Sequence, residues 1–186
     1  MGAMSSNLPP WPAQPLVGER VLLRRADDRD IPMARRLSSD PYVPTIGSLP
    51  PDATHEQAQA WIARQRGSRD RGAGYSFTVV DAQAGTAAGS CGVWLQSLSD
   101  GRATAGYAID PEHRGRGLAA DALRTLTDFA AELPGLHRLE LYIEPWNTGS
   151  VRTAESAGFV REGLLRSHQW IGGTRRDMLL CARIVR

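Results

Sequence analysis

The 186 residues are 41% hydrophobic and 23% charged, an ordinary globular balance that excludes intrinsic disorder or a collagen-like repeat as the main state. No run approaches the roughly 18 apolar residues of a membrane span, so the expectation is a cytoplasmic chain with no membrane partner. The net charge is only +2 and all 22 basic residues are arginine; without lysine there is neither Schiff-base chemistry nor a P-loop nucleotidase.

Residues 1–15 read as a proline-rich, disordered or extended lead-in, and 16–186 as a single domain. Met4 suggests a native start behind a cloning remnant. Gly2 with Ser6 formally fits a myristoylation pattern, and no secretory leader is visible. In chain order, Arg20–Ala26 is a strand rich in Val and Leu. Asp27, Asp28 and Asp30 offer N-caps for a helix through Leu37, with Pro32 acceptable in its first turn. Residues 40–51 hold four prolines and a glycine and read as a loop. Thr54 and Gln57 form a capping box that opens a helix carrying Ala58, Trp61 and Ile62 on one side.

Tyr75–Asp81 is a strand. Ala88–Leu98 is another, with Gly89 and Gly92 marking a bulge or a close backbone approach. After a turn at Ser99–Gly101, Ala103–Ile109 is a third. Gly117–Leu133 is helical, with Leu118, Ala122, Leu126 and Ala130 in one stripe, and Pro134-Gly135 ends it. Arg138–Ile143 is a strand, Asn147–Ala157 a short helix, and Phe159–Trp170 and Arg175–Ile184 a hairpin joined by Gly172-Gly173. The order predicts a mixed α/β fold with a mostly antiparallel central sheet.

Cys91 and Cys181 lie far apart and read as two buried reduced thiols, although a disulfide between them stays open. His55, His113, His137 and His168 have no metal-ligand spacing, so no metal is expected. The informative segment is Tyr107–Ala119, in which a strand enters a turn with Gly115 and Gly117 and then a helix. Free N–H groups and the positive end of a helix dipole meet there, which favours an anion, above all a phosphate. Arg114 and Arg116 add charge in the same stretch. The plainer alternative is an ordinary glycine-containing connection with a solvated arginine pair.

Arg114-x-x-Gly117-x-Ala119 after a short strand resembles the acetyl-CoA signature of the GNAT N-acetyltransferases. Asn147-x-x-Ser150, followed by Ala157-Gly158-Phe159 and Glu162-Gly163, resembles that family's second motif. The resemblance spans about Arg20 to Arg186 and is nearest to the RimJ/RimL-like, ribosomal-protein branch. It implies a twisted sheet with one splayed parallel strand pair, here Ala103–Ile109 and Arg138–Ile143, flanked by about four helices. It implies acetyl-CoA as cofactor. The diphosphate would sit on the amides of Arg114, Gly115, Arg116, Gly117, Leu118 and Ala119. Pantetheine would pair with the backbone near Tyr107, Ala108 and Ile109, with Asn147 and Ser150 near its far end. In their plainer reading, Asn147 is the N-cap of its helix and Ser150 lies in the first turn.

The implied reaction is direct attack of a neutral amine on the thioester, so one proton must leave the amine and another must reach the thiolate. Ser150 is the candidate acid and Tyr142 the second choice. Many relatives place carboxylates where this chain has Thr104 and Gln169, which leaves Glu140, Glu144, His168 or a water chain as the base. Asp177 recurs in this branch, and surface pairing with an arginine explains it equally well. Tyr42 and Trp94 are candidates to line the acceptor pocket, whereas Trp61 reads as core. The acceptor is a primary amine on a protein N-terminus or a small molecule. A homodimer fits the resemblance. The alternative is a non-catalytic acyl-CoA-binding module on the same fold. Nucleic-acid binding through pairs such as Arg24–Arg25 and Arg35–Arg36 is disfavoured by the low net charge.

Overall fold

The protein's structure, a computed structural model, describes residues 8–185. Met4 and the Gly2–Ser6 pattern lie outside the described residues. The chain runs β1 (Leu16–Val17), β2 (Val21–Arg25), α1 (Ile31–Ser38), α2 (Val43–Ile46), α3 (His55–Arg66), β3 (Gly74–Asp81), β4 (Ala87–Trp94), β5 (Arg102–Ile109), α4 (Leu118–Ala131), β6 (Arg138–Ile143), α5 (Thr148–Ser156), β7 (Val160–Ile171) and β8 (Thr174–Ile184). The strands form one sheet ordered β1-β2-β3-β4-β5-β6-β8-β7. Every adjacent pair is antiparallel except β5 and β6.

Alternation along the strands sorts the apolar residues onto two faces. Leu23, Phe77, Val79, Cys91 and Val93 meet the Leu118–Ala122–Leu126–Ala130 stripe of α4 on one side. On the other side α1 and α3 bury Met33, Ala34, Leu37, Ala58, Trp61 and Ile62. Each fully buried leucine on these faces contributes about 1.5–3 kcal/mol of transfer free energy, so the strands are clamped from both sides. β3 is buried along its whole length. Cys91 and Cys181 are buried free thiols. Residues 8–15 carry no regular structure but lie against the sheet. Trp11 meets Tyr75 and Phe77 edge-on at 5.4 and 5.3 Å, and the Tyr75 hydroxyl donates to the Pro9 carbonyl at 2.6 Å.

Local signals explain most element ends. Thr54 and Gln57 make both bonds of their capping box, and Asp27 caps the 3-10 turn that leads into α1. Two expectations are corrected. Residues 40–51 are not wholly loop, because Pro44 falls in the first turn of the one-turn helix α2, where its missing N–H costs nothing. The strand expected over Ala88–Leu98 runs Ala87–Trp94 and ends opposite Gly74, the first residue of β3, with one further bond from the Leu95 amide to the Ala73 carbonyl at 3.0 Å. The expected bulge is in β4: Val79 and Val80 face Gly89 and Ala87, so Ala88 is the extra residue, beside Gly89. The close approach is at Gly89, where a Cβ would stand 2.1 Å from the Ala108 carbonyl oxygen.

Candidate active site

β5 and β6 pair only through Arg102–Arg138, Ala103–Leu139 and Thr104–Glu140. Beyond Thr104 they part, while β5 stays paired with β4 to Ile109 and β6 with β8 to Ile143. The edges that face each other across the split therefore have no ladder partner, and extended amide-bearing ligands suit such edges. A cavity of about 930 Å³ occupies the split. Tyr107, Ala108 and Ile109 line it from β5, Leu141, Tyr142 and Ile143 from β6, and Asn147 and Ser150 from α5.

One end of the cavity is the start of α4. Gly115 and Gly117 adopt φ of 74° and 76°, the left-handed region that a Cβ disfavours, and the turn depends on them. Among the described residues no side chain caps α4. Asp121 in its first turn is occupied elsewhere, accepting from the amides of Arg20 at 2.7 Å and Val21 at 3.1 Å. The first amides of α4 therefore keep their anion-binding capacity, and Gly115, Gly117, Leu118 and Ala119 all border the cavity.

The two arginines of the turn part company. Arg114 borders the cavity and donates to the Ile109 carbonyl at 2.9 Å and to the Asp40 carboxylate at 2.6 Å. The Arg116 guanidinium turns to the other side of the turn, 2.7 Å from the buried Asp81 carboxylate and among residues of a separate, smaller pocket. This corrects the expectation that both side chains charge the same spot. A buried carboxylate needs a counter-charge, and Arg116 supplies it. Burial alone would raise the Asp81 pKa; the amides of Ala84 and Gln83 together with Arg116 hold it below the ordinary range.

At the start of α5 the Asn147 side chain accepts from the Ser150 amide at 3.1 Å, so the N-cap reading of Asn147 holds while the residue also borders the cavity. The Tyr107 hydroxyl is buried and makes no hydrogen bond of normal geometry among the described residues. Burial raises its pKa, and the nearby hydroxyls of Ser150 and Thr153 counter this in part. Thr153 is a site residue that sequence reasoning missed; its signal is the three-residue spacing from Ser150 on one helix. Tyr42 packs edge-on against Trp146 at 4.9 Å. Burial and the adjacent Glu144 carboxylate push the Tyr42 phenol up, and Asn147 opposes them. Trp94 lies over Gly106, where a Cβ would come within 2.9 Å of its ring. Tyr42, Trp94, Thr104 and Gln169 all border the cavity. Trp61 borders it too, but sits in the α1–α3 core as expected.

The proton-transfer candidates separate on their partners. Glu140 is buried and accepts from Arg138 at 2.6 Å and from the Tyr142 hydroxyl at 2.8 Å. Burial pushes its pKa up, but Arg138 and Tyr142 outweigh that and keep it ionised and engaged. The Tyr142 proton is held by this bond, and burial followed by the Glu140 charge raises the phenol's pKa. The structure therefore makes Tyr142 a poorer proton donor than expected. His168 stacks on Tyr142 at 5.0 Å with its side exposed. It lies in a stretch where the β7–β8 register slips, beside Ser167 at φ 49°. Asp177 accepts from the Ser167 amide at 2.7 Å, so it pins this irregularity, and no arginine ion pair forms to it among the described residues. Glu144 is buried, 3.7 Å from Arg176 and beside Tyr42. No cluster suited to a metal ion occurs among the described residues, and no helix there is long and apolar enough to cross a membrane.

Comparison with known proteins adds to this geometry. The acetyltransferase (GNAT) domain family matches residues 20–160. The chain is 29% identical over 171 residues to an uncharacterised N-acetyltransferase, p20, of Bacillus licheniformis, covering 92% of this chain and 96% of that one. It superposes with a TM-score of 0.77 on an acetyltransferase of the GNAT family from Bacillus anthracis, at 20% identity, covering 92% and 99% of the two chains. RimJ of Mycobacterium smegmatis, solved in complex with a coenzyme A disulfide, gives a TM-score of 0.75 at 25% identity, covering 92% and 84%.

Proposed function

The chain belongs to the acetyltransferase (GNAT) domain family, and from that premise we propose that it moves an acetyl group from acetyl-CoA to a primary amine by direct attack. The observation that carries the reading is the cavity in the β5–β6 split, closed at one end by the uncapped turn of α4. The residues present fit coenzyme A. A 14-residue helix offers its free N-terminus to a diphosphate, and unpaired strand edges offer hydrogen bonds to an amide-bearing arm. The coenzyme A disulfide bound by RimJ supports the same choice.

Acetyl-CoA supplies an activated thioester carbonyl; the protein supplies position and proton transfer. Gly115, Gly117, Leu118 and Ala119 hold the diphosphate through backbone amides, and the edge at Tyr107–Ile109 aligns the arm. The Ser150 hydroxyl, beside Tyr107 and Thr153, donates a hydrogen bond to the departing sulfur. The amine enters from the face bearing Tyr42, Trp94 and Thr104. Near pH 7 such an amine is mostly protonated. Glu144, beside the Tyr42 hydroxyl, takes this proton through that phenol, and the second proton, shed by the nitrogen as the amide forms, passes to the departing thiolate, which leaves as the thiol.

A thiol-release assay with acetyl-CoA and a panel of primary amines tests the reading, and turnover of at least one amine is expected. Glu144→Gln leaves coenzyme A binding intact and lowers turnover by about 10²-fold or more. The competing reading, an acyl-CoA-binding module without catalysis, rests on Thr104 and Gln169, which border the cavity without offering a carboxylate base. Tight coenzyme A binding without turnover of any amine would favour it.

A further inference from the structure

We infer that Asp40 is a positioning residue that couples the two ends of the cavity: one carboxylate holds the acceptor-side segment with one oxygen and the donor turn with the other, so that filling the turn steadies Tyr42 and Val43. This rests on reading the turn as the coenzyme A site.

The geometry is specific. Asp40 Oδ1 accepts from the amides of Tyr42 at 2.8 Å and Val43 at 2.9 Å, which start the one-turn helix α2. Asp40 Oδ2 accepts from Nη2 of Arg114 at 2.6 Å. Arg114 is also tied through Nε to the Ile109 carbonyl at 2.9 Å, where β5 ends. The Asp40 side chain is 5% exposed and that of Arg114 is 48% exposed. The acid is thus fixed in the interior, while the cation retains a face toward the cavity. Burial disfavours the charged carboxyl, but the amides of Val43 and Tyr42 and the Arg114 guanidinium more than offset it, so Asp40 stays ionised through the neutral range.

A second bridge runs beside the first with reversed polarity. Arg36 of α1 pairs with the buried Asp110, which caps the 3-10 turn just ahead of Arg114. Arg36 and Asp40 are four residues apart, as are Asp110 and Arg114. The Arg36–Asp110 pair docks α1 onto the donor side. The Asp40–Arg114 pair alone continues into α2, whose four residues include none that is buried. A short, half-exposed turn opens locally at low free energy, so a modest constraint on it is measurable. An anion on the turn restrains Arg114, Arg114 restrains Asp40, and Asp40 restrains the two amides. By linkage, a steadied segment favours the anion equally.

Amide hydrogen exchange of the whole chain, with and without saturating coenzyme A, tests this in the wild type and in Asp40→Asn. The asparagine oxygen still accepts from Tyr42 and Val43, but its amide cannot accept from Arg114. In the wild type, coenzyme A slows exchange at Gly115–Ala119 and, by about tenfold, at Tyr42 and Val43. In Asp40→Asn the turn is still protected and Tyr42 and Val43 no longer respond. Arg114→Gln, which keeps the Asp40 cap, uncouples the segment in the same way at saturating coenzyme A and serves if Asp40→Asn does not fold. Protection of the turn without any response at Tyr42 and Val43 in the wild type overturns the coupling alone. So does an equal response in the two variants, which would mean direct contact with the ligand. Absence of protection at the turn itself overturns the donor-site reading and the coupling with it.

Discussion

At the start of α3 the Thr54 hydroxyl accepts from the Gln57 amide, and the Gln57 side chain accepts from the Thr54 amide. At the start of α4 no side chain does either, and the cap is a left-handed glycine. The first helix end is closed by its own sequence, while the second is left open to the cavity. The openness is not for want of an acid, since Asp121 stands in the first turn of α4 and spends its carboxylate on β2. α5 lies between these extremes, because Asn147 caps it and also borders the cavity. The two helix ends differ in what the sequence withholds from them. A closed end contributes stability, and an open one keeps its amides for a ligand.

Closing the open end has the largest expected effect. Gly117→Asp brings a carboxylate to the α4 amides, and aspartate is among the residues that tolerate a positive φ. Coenzyme A affinity measured by calorimetry falls by about 10- to 100-fold, the scale of losing hydrogen bonds to a charged group, and stability in urea falls by about 1 kcal/mol because the left-handed backbone disfavours a Cβ. Asn147→Ala removes a cap and a cavity wall together, so it lowers stability by about 1 kcal/mol and also lowers the acetylation rate. Thr54→Ala isolates the closed end: stability falls by about 1 kcal/mol in urea and coenzyme A affinity is unchanged.

The smallest effect concerns the cap that leads into α1. The Arg29 side chain lowers the Asp27 pKa from its ordinary 3.8 to about 2, against the opposing effect of burial. A depressed pKa means the folded state binds the proton less readily. The cap's contribution is therefore complete above the unfolded value near 4 and is lost as pH falls through about 2. Urea midpoints of the wild type and Asp27→Asn, compared between pH 6 and pH 2, should converge at the acid end.

Elements governed by local rules were legible in the sequence. The capping box at Thr54, the glycine hairpin at Gly172-Gly173 and the alternation in Arg138–Ile143 each involve residues a few positions apart. Arg138–Ile143 also shows the limit of such rules, because Glu140 alternates as a polar residue yet is buried, held by Arg138 and by Arg102 at 3.7 Å. The glycine turn and the Asn147–Ser150 spacing mark residues that border one and the same cavity. Long-range pairing was hidden: nothing near Arg116 announces Asp81, and nothing near Arg114 announces Asp40, 74 residues away. Tyr142 looked available as an acid because its bond to Glu140 depends on the strand's twist and on burial, not on its spacing in the chain.

The proposed function stands or falls with a diphosphate at the open end of α4. Calorimetric titration of the wild-type chain with coenzyme A and, separately, with pantetheine, which lacks that group, tests it most directly. One-site binding of coenzyme A and far weaker binding of pantetheine are expected, with Gly117→Asp erasing most of the difference. Equal affinity for the two ligands, or no heat with coenzyme A, would contradict it.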